Sequence, residues 1–295
     1  MSEKECAKLI KNLLRRLGVS NGDVIYLGLD MGRLPLPRWT SELNSSAMRK
    51  REWLWCEFLF ENIMEVLGPK GTLLLGTFTY SCSNSSVPFV LEDSPSEIGS
   101  FTNWLRQHSG AIRSVHPIFS VAGVGAHASD ILSDAGSSAF GPCSPFGKLA
   151  PYNTRFVNLG ISLSKTLTYI HHLEQCYGCH HRYNKVIPGK VFVRGKEVER
   201  DFYGFMRWRG VDLSVNVDPL EDNLRNENLL LEVYEKDIFG QSALVSDIDR
   251  IGYEMLSKNS CSFIKSNARI YIDDSAVQSA PSKKSDIAFK LSFDS

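Results

Sequence analysis

Residues 166–185, TLTYIHHLEQCYGCHHRYNK, form the densest cluster of potentially reactive side chains in the sequence. His171 and Glu174 are three residues apart, so on a helix their side chains share a face, with Thr168 one turn earlier. A carboxylate beside an imidazole fixes its tautomer and stabilises the protonated ring, as a general base requires. The spacing makes His171 a candidate catalytic base and Glu174 its candidate partner. His172 remains a second candidate, and an HxxE pair also occurs on helices with no catalytic role.

A second pattern in the same stretch allows a different chemistry. Cys176, Cys179 and His180 match the pattern of c-type haem attachment, and cysteine and histidine are also common zinc ligands. Haem attachment requires export, whereas charges interrupt every apolar stretch near the N-terminus. A zinc site needs four converging ligands, which the sequence does not place. We therefore assign no metal site and keep a zinc- or haem-binding protein as the alternative from another functional class.

Composition bounds the class of protein. Of 295 residues, 43% are hydrophobic, and 33 basic residues balance 33 acidic ones. This neutral balance gives no electrostatic case for nucleic acid or an anionic membrane as partner. No apolar run is long enough to span a bilayer, and the seven cysteines lack the spacing of a disulfide framework. We expect a cytoplasmic protein with reduced thiols, no membrane insertion and no nucleic-acid partner.

The order of helical and extended patterns predicts an α/β protein. Apolar runs at 24–29 and 72–78 are continuous, which is typical of buried strands, and a GPKG turn precedes the second. Further strands are expected at 119–124 and 155–159, with a hairpin at 191–198. Helices are expected at 3–17, 47–67, 96–108 (capped by Ser96), 166–176, 219–232 and 246–258, and a loop at 32–46. We expect one domain over residues 1–274 and a loose C-terminal tail over 275–295.

Several short motifs occur in a fixed order. They are LGPKGT (67–72) leading into TFT (77–79), RSVHP (113–117), SVAGVG (120–125), FGPCSPF (140–146), LG (159–160) and TYIHHLE (168–174). In this order and spacing they resemble the aminoglycoside 3-N-acetyltransferase family over about residues 5–265. The resemblance is closest to members of sugar and surface-polysaccharide pathways.

The resemblance implies a three-layer α/β/α sandwich around a largely buried central sheet. It also implies acetyl-CoA as co-substrate and direct acetyl transfer in a ternary complex. His171 falls on the position of the family's catalytic histidine, and Glu174 on that of its neighbouring acid. The residues that fall in segments bordering the coenzyme are Asp30, Met31, Gly32, Thr77, Thr79, Arg113, Ser114, His116 and Ser120.

One departure from the family pattern lies at the end of the first strand. Family members typically have a His-Ser pair there, whereas this chain has Gly28-Leu29-Asp30. Backbone N–H groups can replace side-chain groups because glycine permits close approach, and Asp30 is alternatively an acceptor-side residue. A thioester carbonyl gains negative charge when attacked, so it needs donors, for which Thr77, Thr79 or a helix N-terminus are candidates. Arg113, His116 and Lys148 are candidate partners of the coenzyme phosphates.

The predicted activity is acetyl-CoA-dependent N-acetylation of an amino sugar, either free, nucleotide-linked or part of a glycan precursor. Antibiotic resistance through an aminoglycoside acceptor is the alternative, and a non-catalytic member that binds coenzyme A is a further rival. A polycationic drug is best held by several carboxylates, whereas the chain is neutral. Four carboxylates could form an acidic surface that binds such a drug, or could simply belong to a solvent-exposed helix face. They are Glu221, Asp222, Glu227 and Glu232. The oligomeric state is open, a homodimer being one candidate.

Overall fold

The computed structural model describes residues 1–42, 48–208 and 213–265. The predicted tail at 275–295 and the end of the predicted domain lie outside these residues. The helices are α1 (Glu3–Arg16), α2 (Trp39–Glu42), α3 (Met48–Leu67), α4 (Ser100–Leu105), α5 (Ala128–Leu132), α6 (Leu163–Thr166), α7 (Ile170–Tyr177), α8 (Asp218–Asn226) and α9 (Val245–Lys258). The strands are β1 (Val24–Leu29), β2 (Thr72–Gly76), β3 (Phe89–Val90), β4 (Ile112–Arg113), β5 (Val121–Gly125), β6 (Arg155–Leu159), β7 (Arg182–Val186), β8 (Val191–Val193), β9 (Lys196–Glu197), β10 (Tyr203–Arg207), β11 (Leu231–Glu235) and β12 (Ile238–Leu244).

Seven strands form the central sheet in the order β11-β12-β6-β1-β2-β5-β4. The three central strands are parallel, with Tyr26 of β1 paired to Leu74 of β2 and to Phe156 of β6. The outer strands β12, β11, β5 and β4 are antiparallel to their neighbours. Parallel strands are covered on both faces, which explains why β1 and β2 are nearly continuous apolar runs.

Alternate residues of β1 divide the hydrophobic core into two layers. Ile25 and Leu27 pack with the buried residues of α1 and α3. Val24 and Tyr26 pack instead with a second cluster that includes residues of α5 to α9. Because successive side chains of a strand point to opposite faces, the sheet lies between two helical layers. The predicted three-layer α/β/α sandwich is thereby confirmed.

The predicted helix over 166–176 is wrong in one respect that matters for the site. It is two helices, α6 and α7, separated at Leu167–Tyr169. The Tyr169 side chain is fully buried, and its hydroxyl donates to Asp249 Oδ1 of α9 at 2.8 Å. Tertiary packing of this ring therefore overrides the local helical pattern, and the break lets α7 start in a new direction.

Three other boundaries differ from the sequence prediction. The helix expected at 96–108 is α4, which begins after Gly99 (φ 153°), and Ser96 bonds to the Thr102 hydroxyl instead of capping it. The helix expected over 219–232 ends near Asn228, whose φ of 60° is left-handed, and β11 follows. The loop expected over 32–46 contains α2, and part of it lies outside the described residues. None of the helices in the described ranges is both long and apolar enough to cross a membrane.

The packing of α7 against α9 gives a testable prediction about stability. Leu173 of α7 is fully buried and packs over Gly252 of α9. Leu173→Ala should lower the free energy of unfolding by roughly 2–5 kcal/mol, because transfer and cavity terms add. Urea titration measures this, and Leu231→Ala at a site 39% exposed is the control. Equal losses in the two variants would contradict the packing described.

Candidate active site

His171 lies in the first turn of α7 and is partly accessible. Its side chain is 18% exposed, and its Nδ1 lies 2.9 Å from Glu174 Oε2. The two side chains thus meet on one face of α7, as their spacing indicates. Within the described part of the chain, His171 Nε2 has no hydrogen-bond partner. A histidine held at Nδ1 by a carboxylate and free at Nε2 can accept a proton there.

The Glu174 carboxylate is fully buried and has two further partners. His181 Nε2 donates to its Oε1 at 2.9 Å, and Arg182 Nε lies 2.8 Å from its Oε2. Burial would raise the pKa of Glu174, but the bonds to His171 and His181 and the charge of Arg182 lower it to about 2. Glu174 therefore stays ionised at neutral pH.

Sequence reasoning did not identify His181 and Arg182 as parts of this site. They follow α7 by several residues, across the turn that leads into β7. Their approach to Glu174 depends on the pairing of β7 with β10, which helical spacing cannot reveal. The only available signal was two further basic side chains shortly after the HxxE pattern.

His172, the alternative base, lies on a different side of α7. Its Nδ1 is 2.6 Å from the Phe140 carbonyl oxygen, and its ring packs against Tyr169. It is 9% exposed, and the Cys176 thiol is 3.5 Å from Nδ1. Burial lowers the pKa of His172, partly offset by its bond to Phe140. Its ring is thus engaged by the protein interior, which favours His171 as the accessible base.

A cleft of about 510 Å³ opens at the carboxyl ends of β1 and β2. In open sheets that contain parallel strands, ligands usually bind outside these ends, and the volume lies in the usual range of roughly 300–1,000 Å³. Asp30, Met31 and Gly32 line this cleft, as predicted for a coenzyme site. Further lining residues are Gly28, Phe78, Tyr80, Ile98, Gly99, Thr102, Lys165, Thr166 and Thr168.

Aromatic rings connect the cleft with His171. Phe78 of the cleft lies 5.5 Å from Phe119, and Phe119 lies 4.9 Å from Phe140. Phe140 in turn packs edge-on against His171 at 5.3 Å. Thr168, which lines the cleft, accepts a hydrogen bond from the backbone N–H of His171. His171 therefore sits beside the cleft, on its apolar margin.

Gly28 occupies the place of the histidine of the family's His-Ser pair. A Cβ atom there would lie 2.7 Å from Thr166 Oγ1 and 3.0 Å from Asn158 Nδ2. Asn158 donates a hydrogen bond to Thr166, so these two side chains fill the space next to Gly28. The departure at Gly28 is thus matched by neighbours that leave no room for a side chain.

The Asp30 carboxylate contacts two residues of its own turn. Its Oδ1 accepts from the Gly32 N–H at 3.0 Å, and its Oδ2 lies 3.3 Å from Arg33 Nε. The side chain is 41% exposed, so it borders the cleft while fixing the backbone of the short turn after β1. This contact positions the loop, and a direct role of Asp30 towards a ligand stays a prediction.

The Arg113 guanidinium is buried under the floor of the cleft. It donates to the carbonyl oxygens of Leu91, Ser94 and Thr77, and Phe89 lies beneath it at 4.9 Å. Burial lowers the pKa of Arg113 to about 9. In this structure the side chain ties the loop after β2 to β4, and binding of coenzyme phosphate by Arg113 stays a prediction.

Four other predicted coenzyme residues belong to the same buried region. The Thr77 and Ser120 hydroxyls lie 3.1 Å apart, and both are within the hydrogen-bond network of Arg113. Thr79 donates to the Pro95 carbonyl oxygen at 2.7 Å, and Ser114 accepts from the Val121 N–H. All four are almost completely buried. Their hydroxyls are therefore used to hold the loops that border the cleft.

His116 is likewise satisfied by the backbone. Its Nδ1 accepts from the N–H groups of Ile118 and Phe119, and its Nε2 faces the Tyr203 carbonyl oxygen at 3.3 Å. Burial lowers the pKa of His116 to about 4, so the ring is neutral at pH 7. A neutral ring is a poor phosphate partner, and that role stays a prediction without structural support. Lys148, the other cationic candidate, donates to backbone carbonyls of Asp130 and Asp134.

The carboxylates considered as an acidic surface are paired within the protein. Arg225 forms ion pairs with Glu221, Asp222 and Glu232 at 2.6–2.9 Å. Arg250 forms another with Glu227. Each of the four carboxylates is therefore already engaged by an arginine, although the two arginines balance only two of the four negative charges.

The side chains of the cysteine–histidine segment lie in different environments. Cys176 contacts His172, Cys179 is buried, and His180 is exposed. Over residues 1–42, 48–208 and 213–265, no group of three or more His, Cys, Asp or Glu side chains is arranged to hold a metal ion.

Comparison with known proteins assigns the family. The aminoglycoside 3-N-acetyltransferase sequence model matches residues 52–242, well over half of the chain. The chain belongs to the aminoglycoside 3-N-acetyltransferase family. A curated relative, aminoglycoside N(3)-acetyltransferase VII of Streptomyces paromomycinus, is 34% identical over 105 residues. The match covers 35% of this chain, and it spans only 33% of that relative.

Solved structures share the fold. The apoenzyme of aminoglycoside acetyltransferase AAC(3)-IVa gives a TM-score of 0.68 at 21% identity, over 89% of this chain and 92% of its own. The AAC-IIIb complex with CoASH gives a TM-score of 0.70 at 18% identity, over 90% and 99%. At these identities the likeness shows the α/β/α fold alone. Both neighbours are acetyltransferases, and acetyl-CoA is the co-substrate of the family.

The buried Glu174 cluster gives a prediction about stability and pH. Glu174→Gln should lower the free energy of unfolding by roughly 3–5 kcal/mol near pH 6, because it leaves buried cations uncompensated. Burial lowers the pKa of His181, but Cys261 and Glu174 raise it to about 9, above its ordinary 6.5. The stability from this pair is therefore complete below pH 6.5 and is lost as pH rises through 9.

Urea unfolding of wild type and Glu174→Gln at about pH 6 and pH 9.5 measures the difference. Glu65→Gln is the matched control, since Glu65 is 61% exposed and pairs with Lys11 on the surface. A difference between Glu174→Gln and wild type that is the same at both pH values would contradict the charged state of His181.

The space beside Gly28 gives a second prediction. Gly28→Ala should displace Thr166, which lines the cleft, and weaken binding of coenzyme A about ten-fold or more while the fold is retained. Isothermal titration calorimetry measures the affinity. Gly189→Ala is the control, because a Cβ there meets only ordinary contacts of 3.8–4.0 Å. Unchanged affinity in Gly28→Ala would place the coenzyme elsewhere.

Proposed function

We propose that this chain is an acetyl-CoA-dependent N-acetyltransferase that acts on an amine of an amino sugar, with His171 as general base. The observation that carries the proposal is the His171–Glu174 pair, partly accessible and next to a cleft at the carboxyl ends of β1 and β2. Membership of the aminoglycoside 3-N-acetyltransferase family supports the same reaction.

The cleft has the properties that a coenzyme arm requires. Its walls combine apolar side chains such as Ile98 and Phe78 with the hydroxyls of Thr102, Thr166 and Thr168. Gly32 allows backbone to approach a ligand closely, and Lys165 supplies a cation that is 61% exposed at the rim. These residues would hold acetyl-CoA, which supplies the acetyl group as a thioester.

His171 performs the proton transfer in this proposal. Its pKa is lowered by burial, opposed by Glu174 and lowered further by Arg182 and His181, so the ring is a neutral base near pH 7. Nε2 takes a proton from the acceptor amine as its nitrogen bonds to the carbonyl carbon and the carbon–sulfur bond breaks. Glu174 stabilises the imidazolium that forms, and the proton then leaves with the thiol product.

The choice of an amino sugar rather than a polycationic drug is supported by charge. The whole chain has zero net charge, and Glu221, Asp222, Glu227 and Glu232 are each already paired with Arg225 or Arg250. An acceptor with one amine needs fewer carboxylates than a drug with several. A nucleotide-linked or glycan-precursor amino sugar fits this neutral surface.

An aminoglycoside is the second candidate acceptor. Solved neighbours of this fold have been crystallised with a gentamicin, with apramycin and with sisomicin. A panel of free amino sugars, nucleotide-linked amino sugars and these drugs, followed by thiol release from acetyl-CoA, separates the candidates. Efficient turnover of several drugs and of no other acceptor would overturn the proposed acceptor class.

The role of His171 gives a direct prediction. His171→Ala should lower kcat about 10²–10⁴-fold, because a positioned base contributes that much to the rate. The affinity for coenzyme A should stay within about two-fold, since the cleft wall includes Thr168 but not His171. Thiol-release kinetics and calorimetry measure the two quantities. In the parallel variant His172→Gln, a larger loss of kcat than in His171→Ala would assign the base to His172.

A further inference from the structure

In the proposed reaction, His181 neither takes up a proton from the acceptor nor contacts a substrate. It is completely buried, and its Nε2 donates to Glu174 Oε1 at 2.9 Å. His171 bonds to the other oxygen of the same carboxylate at the same distance. One carboxylate thus lies between two imidazoles, of which one is accessible and the other is enclosed.

The surroundings of His181 come from four parts of the chain. Its Nδ1 lies 3.9 Å from the Cys261 thiol, which follows α9. The titratable and charged groups that act on His181 and Glu174 are His171 on α7, Cys179 in the turn after α7, Arg182 on β7 and Cys261. Arg207 on β10 acts on Arg182. Glu174 is the only carboxylate in this set, so its single negative charge faces every cation of the cluster.

We propose that His181 is a positioning residue which, as a buried imidazolium on Glu174, keeps His171 in its neutral, basic form. The inference rests on the proposed function of His171 as a base. His181 cannot touch an acceptor, because it has no exposed surface, so it acts through the carboxylate.

The physical reason is competition for one negative charge. Two cations, His181 and Arg182, lie on the carboxylate that would otherwise favour protonation of His171. Their positive charge disfavours a third cation at His171. The pKa directions agree, since Glu174 raises the pKa of His171 whereas Arg182 and His181 lower it. An amine acceptor is protonated near neutrality, so a base that stays unprotonated is useful to the reaction.

Substitution of His181 by glutamine tests this role. His181→Gln keeps a donor towards Glu174 but removes the charge, and should therefore raise the pKa of His171. The acid limb of kcat/KM then moves to higher pH with it. The ratio of the wild-type kcat/KM to the variant kcat/KM is therefore expected to be roughly ten-fold larger near pH 5.5 than near pH 8.5. A purely structural role would lower the rate equally at both pH values.

The control is the same change one residue earlier. The His180 side chain is exposed, and its carbonyl oxygen accepts a hydrogen bond from Trp208. Because this bond uses the backbone, His180→Gln should leave both the pH profile and the rate as in wild type. A shift in His180→Gln equal to that in His181→Gln would overturn the inference, because it would trace the effect to net charge alone.

Nuclear magnetic resonance gives a readout that needs no acceptor. The chain has seven histidines, and ¹⁵N-labelled imidazoles of wild type, His171→Ala and His181→Gln identify the two signals. In wild type, His181 should remain an imidazolium at about pH 7.5 while His171 is neutral. A neutral His181 in the wild-type protein overturns the inference even if His181→Gln does not fold.

The two proposals fail in different ways. A raised pKa of His171 in His181→Gln, without acetyl transfer to any acceptor, supports the inference and overturns the proposed function. Transfer that depends on His171, together with an unchanged pKa of His171 in His181→Gln, overturns the inference alone.

Discussion

One buried negative charge determines how this site is built. The Glu174 carboxylate has no exposed surface, and an isolated ion there would cost several kcal/mol. Three partners offset that cost, and each comes with its own structural requirement. His171 lies on the same helix, whereas His181 and Arg182 require β7 to return across α7. The small β7–β10 sheet therefore completes the electrostatics of the proposed catalytic pair.

The rest of the polar interior serves the cleft in a similar way. Arg113 donates hydrogen bonds to three carbonyl oxygens and to the Ser120 and Thr79 hydroxyls, so the loops after β2 are fixed without a regular element. His116 fixes the turn that precedes β5, because its Nδ1 accepts hydrogen bonds from the N–H groups of Ile118 and Phe119. Several residues that resemble the family's coenzyme segments are thus the framework of the cleft. Asp30, Met31 and Gly32 are the ones that line it directly.

The departure at Gly28 shows how a missing side chain is accommodated. Thr166 and Asn158 approach the strand where the family has a His-Ser pair, and they bond to each other. Thr166, at the end of α6, lines the cleft there, and Asn158 of β6 donates a hydrogen bond to its hydroxyl. Polar side chains from other elements thus lie near the place of the family's His-Ser pair, which is compatible with acetyl transfer in the proposed function. The same feature distinguishes this chain from its family pattern.

The sequence alone determined the α/β class, the central strands and the His171–Glu174 pair, because periodicity and helical spacing are local properties. Continuous apolar runs predicted β1 and β2, and residues 155–159 were expected to form the strand that is β6. It could not show the break before α7, since Tyr169 is placed by a contact with Asp249 far along the chain. Nor could it show that His181 and Arg182 share Glu174, because helical spacing does not extend past the end of α7 into the turn and β7. The contact of Tyr169 with Asp249 joins segments 80 residues apart, and only the packing of α7 against α9 brings them together.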